Sequence, residues 1–310
     1  MSISLLILVG LVLYVNPSML IRTIAKTDLF YLFLGFMISN ITVMLRVVKW
    51  NVLLSNISFK QLFPVQMLGM SLSNLTPGKI GEPIKAVILK LSNKLPVSES
   101  LPTIIWERIM DVVVLVLFAI FGVQFIAGNF FVPSILSISM VIVFIILLIL
   151  VLYKKSFGIR VFNLLKKIPI LNKIDNQFIA TFYKGVKILK SKLFLSFILT
   201  FIVWFLDGAV FYFVLLSFGL SSIENLFIIP CILALSILIG ICSSLPSGVG
   251  STEVVMIILL GALGIEKTVA TATVMLARFL TLGYGMLLGY LSFLYLSRKV
   301  NLRNIVKRVV

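Results

Sequence analysis

Long apolar runs recur along the chain, and they decide what it can fold into. Several approach the roughly 20 residues that an α-helix needs to cross a bilayer. Of the 310 residues, 61% are hydrophobic, whereas a soluble domain is about 45–50% apolar. The runs are too long for barrel strands, so helices must satisfy the backbone polar groups in lipid. The sequence therefore predicts an all-α polytopic membrane protein, with one integral membrane domain over residues 1–310.

The apolar segments are of two kinds, continuous and interrupted. The continuous ones predict six spanning helices. The interrupted ones contain Pro and Gly, which break helices. The predicted spans are about 3–15, 29–48, 104–126, 132–153, 193–218 and 268–296, and the interrupted stretches are 62–92 and 225–264. The first span lacks a basic region and a cleavage site, which predicts an uncleaved span or signal anchor.

The basic residues predict the orientation. The net charge is +17, yet 22 of the 27 Lys and Arg lie in three segments: ten in 154–192, five from Arg298 onward and seven in 46–94. One topology places all three on the cytoplasmic side, as the positive-inside rule requires. We therefore expect a multi-pass cell-membrane protein with both termini cytoplasmic. The same distribution predicts that the basic loop 154–192 contacts anionic lipid headgroups. It disfavours nucleic-acid binding.

The interrupted stretches are predicted to be re-entrant helical hairpins. The arms of 62–92 would reach about 21 and 15 Å at 1.5 Å per residue, which is short of the hydrocarbon core. This hairpin must begin and end in the cytoplasm, and 225–264 must begin and end outside. The first arm of the second hairpin, 225–245, is long enough to cross, so whether it spans fully is left open.

The two interruptions resemble each other. NLTPGKIGEPIKAVIL (74–89) and SSLPSGVGSTEVVMIIL (243–259) share the order Leu, Pro, Gly, Gly, Glu and an apolar helix. Pro77 and Pro246 differ by 169 positions, Glu82 and Glu253 by 171, and Arg108 and Arg278 by 170. With the topology above, this predicts an inverted repeat of units 29–126 and 193–296. Paired interrupted helices in inverted repeats indicate a transporter site near the bilayer midplane.

The hairpin tips are the predicted substrate site. A break frees backbone N–H groups at the next helix N-terminus, and these groups bind anions. An arginine one helix later can pair with the glutamate of each tip. An alternative interpretation is that these ion pairs only hold the hairpins. The predicted substrate-binding residues are Arg108, Arg278, Glu82, Glu253, Gly78, Gly81, Gly248, Gly250 and Lys79.

Other polar residues carry weaker expectations. Glu107, Asp111 and Asp207 are candidates for proton coupling or for local helix packing. Lys79 and Lys85 are expected to snorkel toward the cytoplasm. The tryptophans are expected to pack or to anchor the chain at the interface. The four tip glycines are expected to need φ > 0 or close backbone approach, so that Val there would damage the protein more than Val at Gly122 or Gly289.

The sequence offers no catalytic or cofactor signature. It has no histidine, and its two cysteines, Cys231 and Cys242, lie in an apolar run and are expected to pack. No P-loop, GxSxG motif or metal cluster stands out. We therefore expect a non-enzyme without cofactor or metal, which moves its substrate downhill or with a coupled ion.

At these motifs the chain resembles a known family, the flippase-like transmembrane region of lysylphosphatidylglycerol synthases. The resemblance covers about 29–296 and implies a lipid-handling module. The family's aminoacyl transferase is a separate soluble domain, and the longest non-membrane segment here, 154–192, is too short to be one. The matching stretches are LRVVKWNVLL (45–54), NLTPGKIGEPIKAVIL (74–89), WERIMD (106–111), LPSGVGSTE (245–253) and LARF (276–279).

The expected function is a flippase that moves an anionic phospholipid or lipid-linked headgroup across the membrane. Two other functions fit the sequence. One is a small-solute or ion transporter of inverted-repeat type, and the other is a non-transporting membrane partner of a glycosyltransferase or lipid synthase. Whether the chain forms a homo-oligomer is left open.

Overall fold

A computed structural model describes residues 17–54, 57–76, 81–93, 95–123, 131–165, 176–188, 190–220, 222–243 and 248–299. Every regular element in these ranges is a helix, so the protein is an all-α membrane protein. The predicted first span, 3–15, lies outside the described residues. The helices are α1 Pro17–Ile24, α2 Leu29–Leu54, α3 Phe59–Asn74, α4 Ile84–Asn93, α5 Val97–Val123, α6 Phe131–Tyr153, α7 Lys155–Leu165, α8 Asn176–Gly185, α9 Lys190–Leu216, α10 Asn225–Cys242, α11 Ser251–Ala262, α12 Lys267–Arg278, a π-helical turn Phe279–Gly283, and α13 Tyr284–Lys299.

Length and apolarity alone identify three helical segments in the described ranges that could cross a membrane: Leu29–Leu54, Lys190–Leu216 and Lys267–Arg298. A fourth is possible if α6 and α7, which meet at a bend of 104°, form one span. Helix α5 is as long, with 27 residues, but it carries three charged side chains in its middle. The predicted count of six spans stays a prediction.

The surface of α2 shows the pattern of a lipid-facing helix. Its exposed side chains recur every three or four residues, which is one face of an α-helix. They are large and apolar, whereas polar side chains of the same helix, such as Ser39 and Lys49, are buried. Lipid can solvate this apolar face, and water would not. Apart from Leu29 at the start of the helix, the exposed residues are Phe30, Phe33, Met37, Ile41, Met44 and Val48.

Both interrupted stretches form two helical arms with a break between them. The first arms, α3 and α10, each contain a proline as their sixth residue, Pro64 and Pro230. The second arms are short: α4 has 10 residues and α11 has 12, or about 15 and 18 Å. Neither second arm can cross a hydrocarbon core of about 30 Å.

The two units exchange contacts in a two-fold pattern. Their first helices, α2 and α9, run antiparallel, since the Asp28 N–H donates to the Ser217 carbonyl at one end and Arg46 pairs with Asp207 further along. Arm α3 packs against α13 of the other unit, and arm α10 packs against α5. Antiparallel contact between equivalent helices is the geometry that an inverted repeat requires.

The glycines taken above as neutral comparisons occupy tight contacts. A Cβ at Gly122 would lie 2.9 Å from the Cys231 carbonyl oxygen, and one at Gly289 would lie 2.2 Å from Ser71 Cβ. Gly122 belongs to the α5–α10 contact and Gly289 to its equivalent, α13–α3. Val at either position would therefore also meet close contacts, so these two glycines are poor controls for the tip glycines.

Candidate functional site

Ionised side chains in the protein interior dominate the candidate site. Five of the chain's ten acidic residues are buried, and the four other acids in the described ranges are exposed. Moving a charge out of water is costly unless a partner compensates it. Each interior acid has a cationic partner within 4 Å. The interior set is Arg46, Lys49, Lys85, Arg108 and Arg278 with Glu82, Glu107, Asp111, Asp207 and Glu253.

Six of these residues form one cluster around the first hairpin, which we call the first-hairpin network. Lys49 Nζ lies 2.6 Å from Asp111 Oδ1, and Lys85 Nζ lies 2.6 Å from Glu107 Oε2. Arg108 completes it through two carboxylates, one 2.5 Å from its Nε. Three cations face three anions, so the network carries no formal net charge. Its members are Lys49, Glu82, Lys85, Glu107, Arg108 and Asp111.

Lys85 departs from its predicted role. Its side chain is fully buried, and its ammonium lies 4.7 Å from the centre of the Trp50 ring. Besides Glu107, it contacts Gln66 at 3.3 Å. The expectation that Lys85 snorkels toward water is wrong, because these partners lie deeper in the protein and replace its hydration.

The tryptophans pack in the interior. All three are buried, with at most 8% of their surface exposed, which fits the expected packing role and not the expected interface anchor. Trp50 Nε1 donates to Thr103 Oγ1 (3.1 Å), and Trp204 Nε1 donates to Asp111 Oδ1 (3.2 Å).

The second hairpin is held by a much smaller polar set. Arg278 Nε lies 2.6 Å from Glu253 Oε1, and the Gly250 N–H donates to the other oxygen of the same carboxylate at 2.5 Å. The tip needs glycine, since φ is 65° at Gly248 and 98° at Gly250. The predicted pairing of each arginine with the glutamate of its hairpin is thus present in both units, with Arg108 beside Glu82 in the first.

The remaining charges of the first-hairpin network have no counterpart in the second unit. Helix starts and shared motifs align the units at offsets of 161 for α2 and α9 (190 − 29), 171 for the glutamates and 170 for the arginines. At these offsets Lys49, Lys85, Glu107 and Asp111 correspond to Val210, Met256, Ala277 and Thr281. The duplication therefore carries a charged core in one half only.

One ion pair joins the two units. Arg46 and Asp207 each stand 17 residues after the first residue of their helix (46 − 29 and 207 − 190), and their side chains form a salt bridge. The Arg46 guanidinium also lies 5.4 Å from the centre of the Trp204 ring. Because equivalent positions meet here, the pair lies beside the pseudo-two-fold axis.

A cavity of about 120 Å³ lies between the units. Its polar lining includes Arg46, Asp207 and Arg278, the tip glycine Gly248 closes part of it, and the rest is largely apolar. Within the described ranges, Nη2 of Arg278 is buried without a hydrogen-bond partner. This guanidinium therefore has an unused donor beside the cavity.

The backbone beside Arg278 is irregular. The π-helical turn Phe279–Gly283 follows it directly, and Ser39 Oγ donates to the Leu280 carbonyl at 2.7 Å. Such π turns inside α-helices are frequent at functional sites. This one separates α12 from α13, so the helix changes its winding where it borders the cavity.

The predicted site residues divide into three groups. Arg278, Gly248 and Asp207 line the cavity, whereas the predicted residues Glu82, Arg108, Gly250 and Glu253 do not. Gly81 makes a close contact instead: its N–H donates to Thr76 Oγ1 at 2.9 Å, and a Cβ there would meet that side chain at the same distance. Gly78 and Lys79 lie outside the described residues. Of the cysteines, Cys231 is buried and free.

Sequence reasoning missed Arg46 and Lys49 as site residues. A signal existed: Glu107 and Asp111 share one helix face at an i, i+4 spacing, and two buried acids need two cations. Arg46 and Lys49 were the charged residues left over in the preceding span. No group of three or more metal-ligating side chains occurs in the part of the chain that the structure describes.

The fold and this site define an all-α membrane protein with two inverted helical units and a charged cavity between them. The family profile described as the lysylphosphatidylglycerol synthase TM region matches residues 1–289. The chain belongs to this family.

Similar proteins include archaeal chains that are named as UPF0104 membrane proteins. A UPF0104 membrane protein of Methanocaldococcus jannaschii is 23% identical over 96% of this chain and 94% of its own length. Another, of Pyrococcus horikoshii, is 29% identical over 87% of this chain and 88% of its own length. The alignments therefore cover most of both chains.

Proposed function

We propose that the protein is a flippase-like transporter that moves a phosphate-bearing lipid headgroup through the cavity between its two units. The observation that carries the proposal is Arg278, an arginine with an unpartnered buried donor in a cavity that both repeats line. A guanidinium matches the oxygens of a phosphate with two parallel hydrogen bonds. The family name, which refers to a lipid synthase, favours a lipid over a free anion.

The charge balance of the interior explains how the site could stay ionised while empty. Glu253 neutralises Arg278 at 2.6 Å, so an arriving phosphate competes with this carboxylate for the guanidinium. In the equivalent site, Arg108 pairs with Glu82 and also with Asp111. We propose that Arg278 binds the headgroup on one side of the membrane and that Arg108 binds it when the equivalent side opens. Each arginine then has a resting partner and a substrate partner.

The acyl chains need no polar path in this scheme. The helices expose apolar faces, such as the stripe on α2, along which lipid tails can remain in the hydrocarbon. Only the headgroup, whose charge makes unaided crossing costly, has to enter the protein. A cavity of this size fits a compact phosphate group and leaves the tails outside.

The test is lipid transport in proteoliposomes by Arg278→Lys and Glu253→Gln variants. Lysine keeps the charge but offers a point contact, so Arg278→Lys is expected to fold normally and transport at least ten-fold more slowly. Glu253→Gln leaves Arg278 without its resting partner and is expected to lose roughly 3–5 kcal/mol of stability. Arg298→Lys, on an exposed residue near the end of α13, is the matched control. Wild-type transport by Arg278→Lys would reduce the ion pair to a structural role.

A further inference from the structure

A second pocket lies away from the cavity, where the end of α2 meets α5, α8 and α9. We propose that it binds the phosphate of an anionic lipid headgroup, as a resident lipid site separate from the transport path. Its volume is about 370 Å³, within the usual range for small-molecule sites. Three lysines line it against a single acid, Glu99. They are Lys184, Lys187 and Lys192.

The pocket is built by packing, because α8 is seated firmly on α5. Phe182 of α8 is fully buried, and Ile179 is 5% exposed. Gly185 permits the close approach, since a Cβ there would lie 3.1 Å from both the Glu99 carbonyl oxygen and Pro102 Cγ. The backbone that carries Lys184 and Lys187 is therefore held against α5.

The excess of positive charge around the pocket favours the binding of an anion. Helix α9 begins with Lys190 and Lys192 and has no acid in its first turn, although the positive end of a helix favours negative charge. Lys184 and Lys187 add two more cations, exposed and without a salt bridge to any described residue. Like charges at this spacing repel. The lining holds three lysines and one glutamate, so a bound phosphate would offset its excess positive charge.

The walls of the pocket favour a lipid over free phosphate. Leu53 and Leu54, at the end of the spanning helix α2, line the pocket together with Leu95 and Ile188. Apolar residues beside the lysines can accommodate a lipid headgroup whose glycerol and first methylene groups extend along α2. Basic pockets between transmembrane helices bind anionic headgroups in this manner. The pocket does not share a lining residue with the transport cavity, so its occupancy does not depend on the proposed transport.

The test is a thermal-unfolding titration of the full chain in neutral detergent. Three probes are compared: short-chain phosphatidylglycerol, short-chain phosphatidylcholine and inorganic phosphate. Ligand that binds only the folded state stabilises it by RT ln(1 + [L]/Kd), so the midpoint rises with the logarithm of the ligand concentration once that concentration exceeds the Kd. We expect the Kd obtained from this rise to be at least ten-fold lower for phosphatidylglycerol than for the other two probes.

Lysine substitutions test whether the stabilisation by phosphatidylglycerol comes from binding at this pocket. Lys184→Gln/Lys187→Gln is expected to raise the Kd for phosphatidylglycerol roughly 30-fold, because each lysine near the surface contributes roughly a five-fold change in affinity. Lys154→Gln/Lys155→Gln removes the same charge from exposed residues of the same loop and is expected to change nothing. Lys184→Arg/Lys187→Arg should retain binding and shows that the positions tolerate substitution.

Two results would overturn the proposal. If Lys154→Gln/Lys155→Gln weakens binding as much as the pocket variant does, the effect is the net charge of the loop. If inorganic phosphate raises the midpoint over the same concentrations as phosphatidylglycerol, the site recognises phosphate alone and does not select a lipid. Neither result bears on Arg278, so a failure here is distinguishable from a failure of the transport proposal.

Discussion

At the scale of residues, Arg46 and Asp207 form an ion pair beside the pseudo-two-fold axis that relates the two units. Equivalent positions beside such an axis meet each other, so two identical charges there would repel at close range. The two helices instead carry opposite charges at the same helical position. The pair is mostly buried, with 15% and 12% of the side chains exposed, and it faces the cavity. It therefore joins the two units while lining the path between them.

A charge exchange tests this view of the axis. Arg46→Asp places two acids together, and Asp207→Arg places two arginines together, so each is expected to lower the free energy of unfolding by about 3–5 kcal/mol. The double variant Arg46→Asp/Asp207→Arg restores the pair in the opposite sense and should recover most of the loss. Recovery should stop short of wild type, because the guanidinium leaves the Trp204 ring.

Chemical denaturation in detergent measures all three variants. The double variant is the informative one. If its loss of unfolding free energy equals the sum of the two single losses, the two positions are not equivalent, and each side chain is fixed by its own surroundings.

At the scale of elements, the two hairpins are fixed by different means. The first is held by a six-residue charged network that reaches α2 and α5. The second has one ion pair, a tip with two positive-φ glycines, and apolar packing of α10 against α5 and α9. Breaking one ion pair disturbs fewer contacts than breaking a network. We therefore expect the second hairpin to be the more easily displaced element.

The glycines of the second tip provide a matched test. Gly248 has φ of 65° and Gly250 has φ of 98°, and an L-residue in such a conformation costs about 1–2 kcal/mol or more. Gly261 lies near the end of the same hairpin, with nothing within 4 Å of an added Cβ. Alanine at Gly248 or Gly250 should lower thermal stability or transport, whereas Gly261→Ala should be neutral or slightly stabilising.

The same melting-temperature and transport assays compare the three variants side by side. Equal effects at all three positions would mean that the tip conformation carries no special role.

The sequence predicted the elements well and the contacts between them poorly. Predicted spans 29–48, 104–126 and 193–218 lie mostly within Leu29–Leu54, Val97–Val123 and Lys190–Leu216, because apolar length is a local property. The Glu82–Arg108 and Glu253–Arg278 pairs were also expected, since a repeated motif supplied both partners.

The partners of Lys49 and Lys85 could not be read from the chain in the same way. Lys49 meets Asp111 across 62 residues, and Lys85 meets Glu107 across 22. These partners are fixed by how helices pack, and helix spacing alone does not give that packing. The asymmetry between the two units was missed for the same reason. The sequence motifs showed what the repeats share, and the structure shows which charges only one of them has.

At the scale of the whole molecule, the two-fold exchange of contacts suggests a protein with two related sites. The described cavity lies beside Arg278, and the equivalent region beside Arg108 is occupied by the first-hairpin network. An inverted repeat allows the two regions to exchange roles as the units move. This requires the hairpin tips to approach the membrane from opposite sides.

Accessibility of the two tips tests the topology. Leu75, at the end of α3, is 42% exposed, and Ser243, at the end of α10, is exposed. Single cysteines at these positions, with Cys231 and Cys242 replaced, are treated with a membrane-impermeant thiol reagent in oriented vesicles. Leu75→Cys should react from the cytoplasmic side and Ser243→Cys from outside. Labelling of both from one side would contradict the inverted arrangement.

The most direct test of the account is lipid movement by the purified protein alone in sealed vesicles. Two fluorescent lipids with identical tails are compared, phosphatidylglycerol and a phosphate-free diacylglycerol glycolipid, and quenching of the outer leaflet reports the exchange. The account predicts that the protein accelerates the phosphate-bearing lipid well above protein-free vesicles and leaves the phosphate-free lipid at the background rate. Equal acceleration of both lipids, or of neither, would contradict a phosphate-binding lipid transporter.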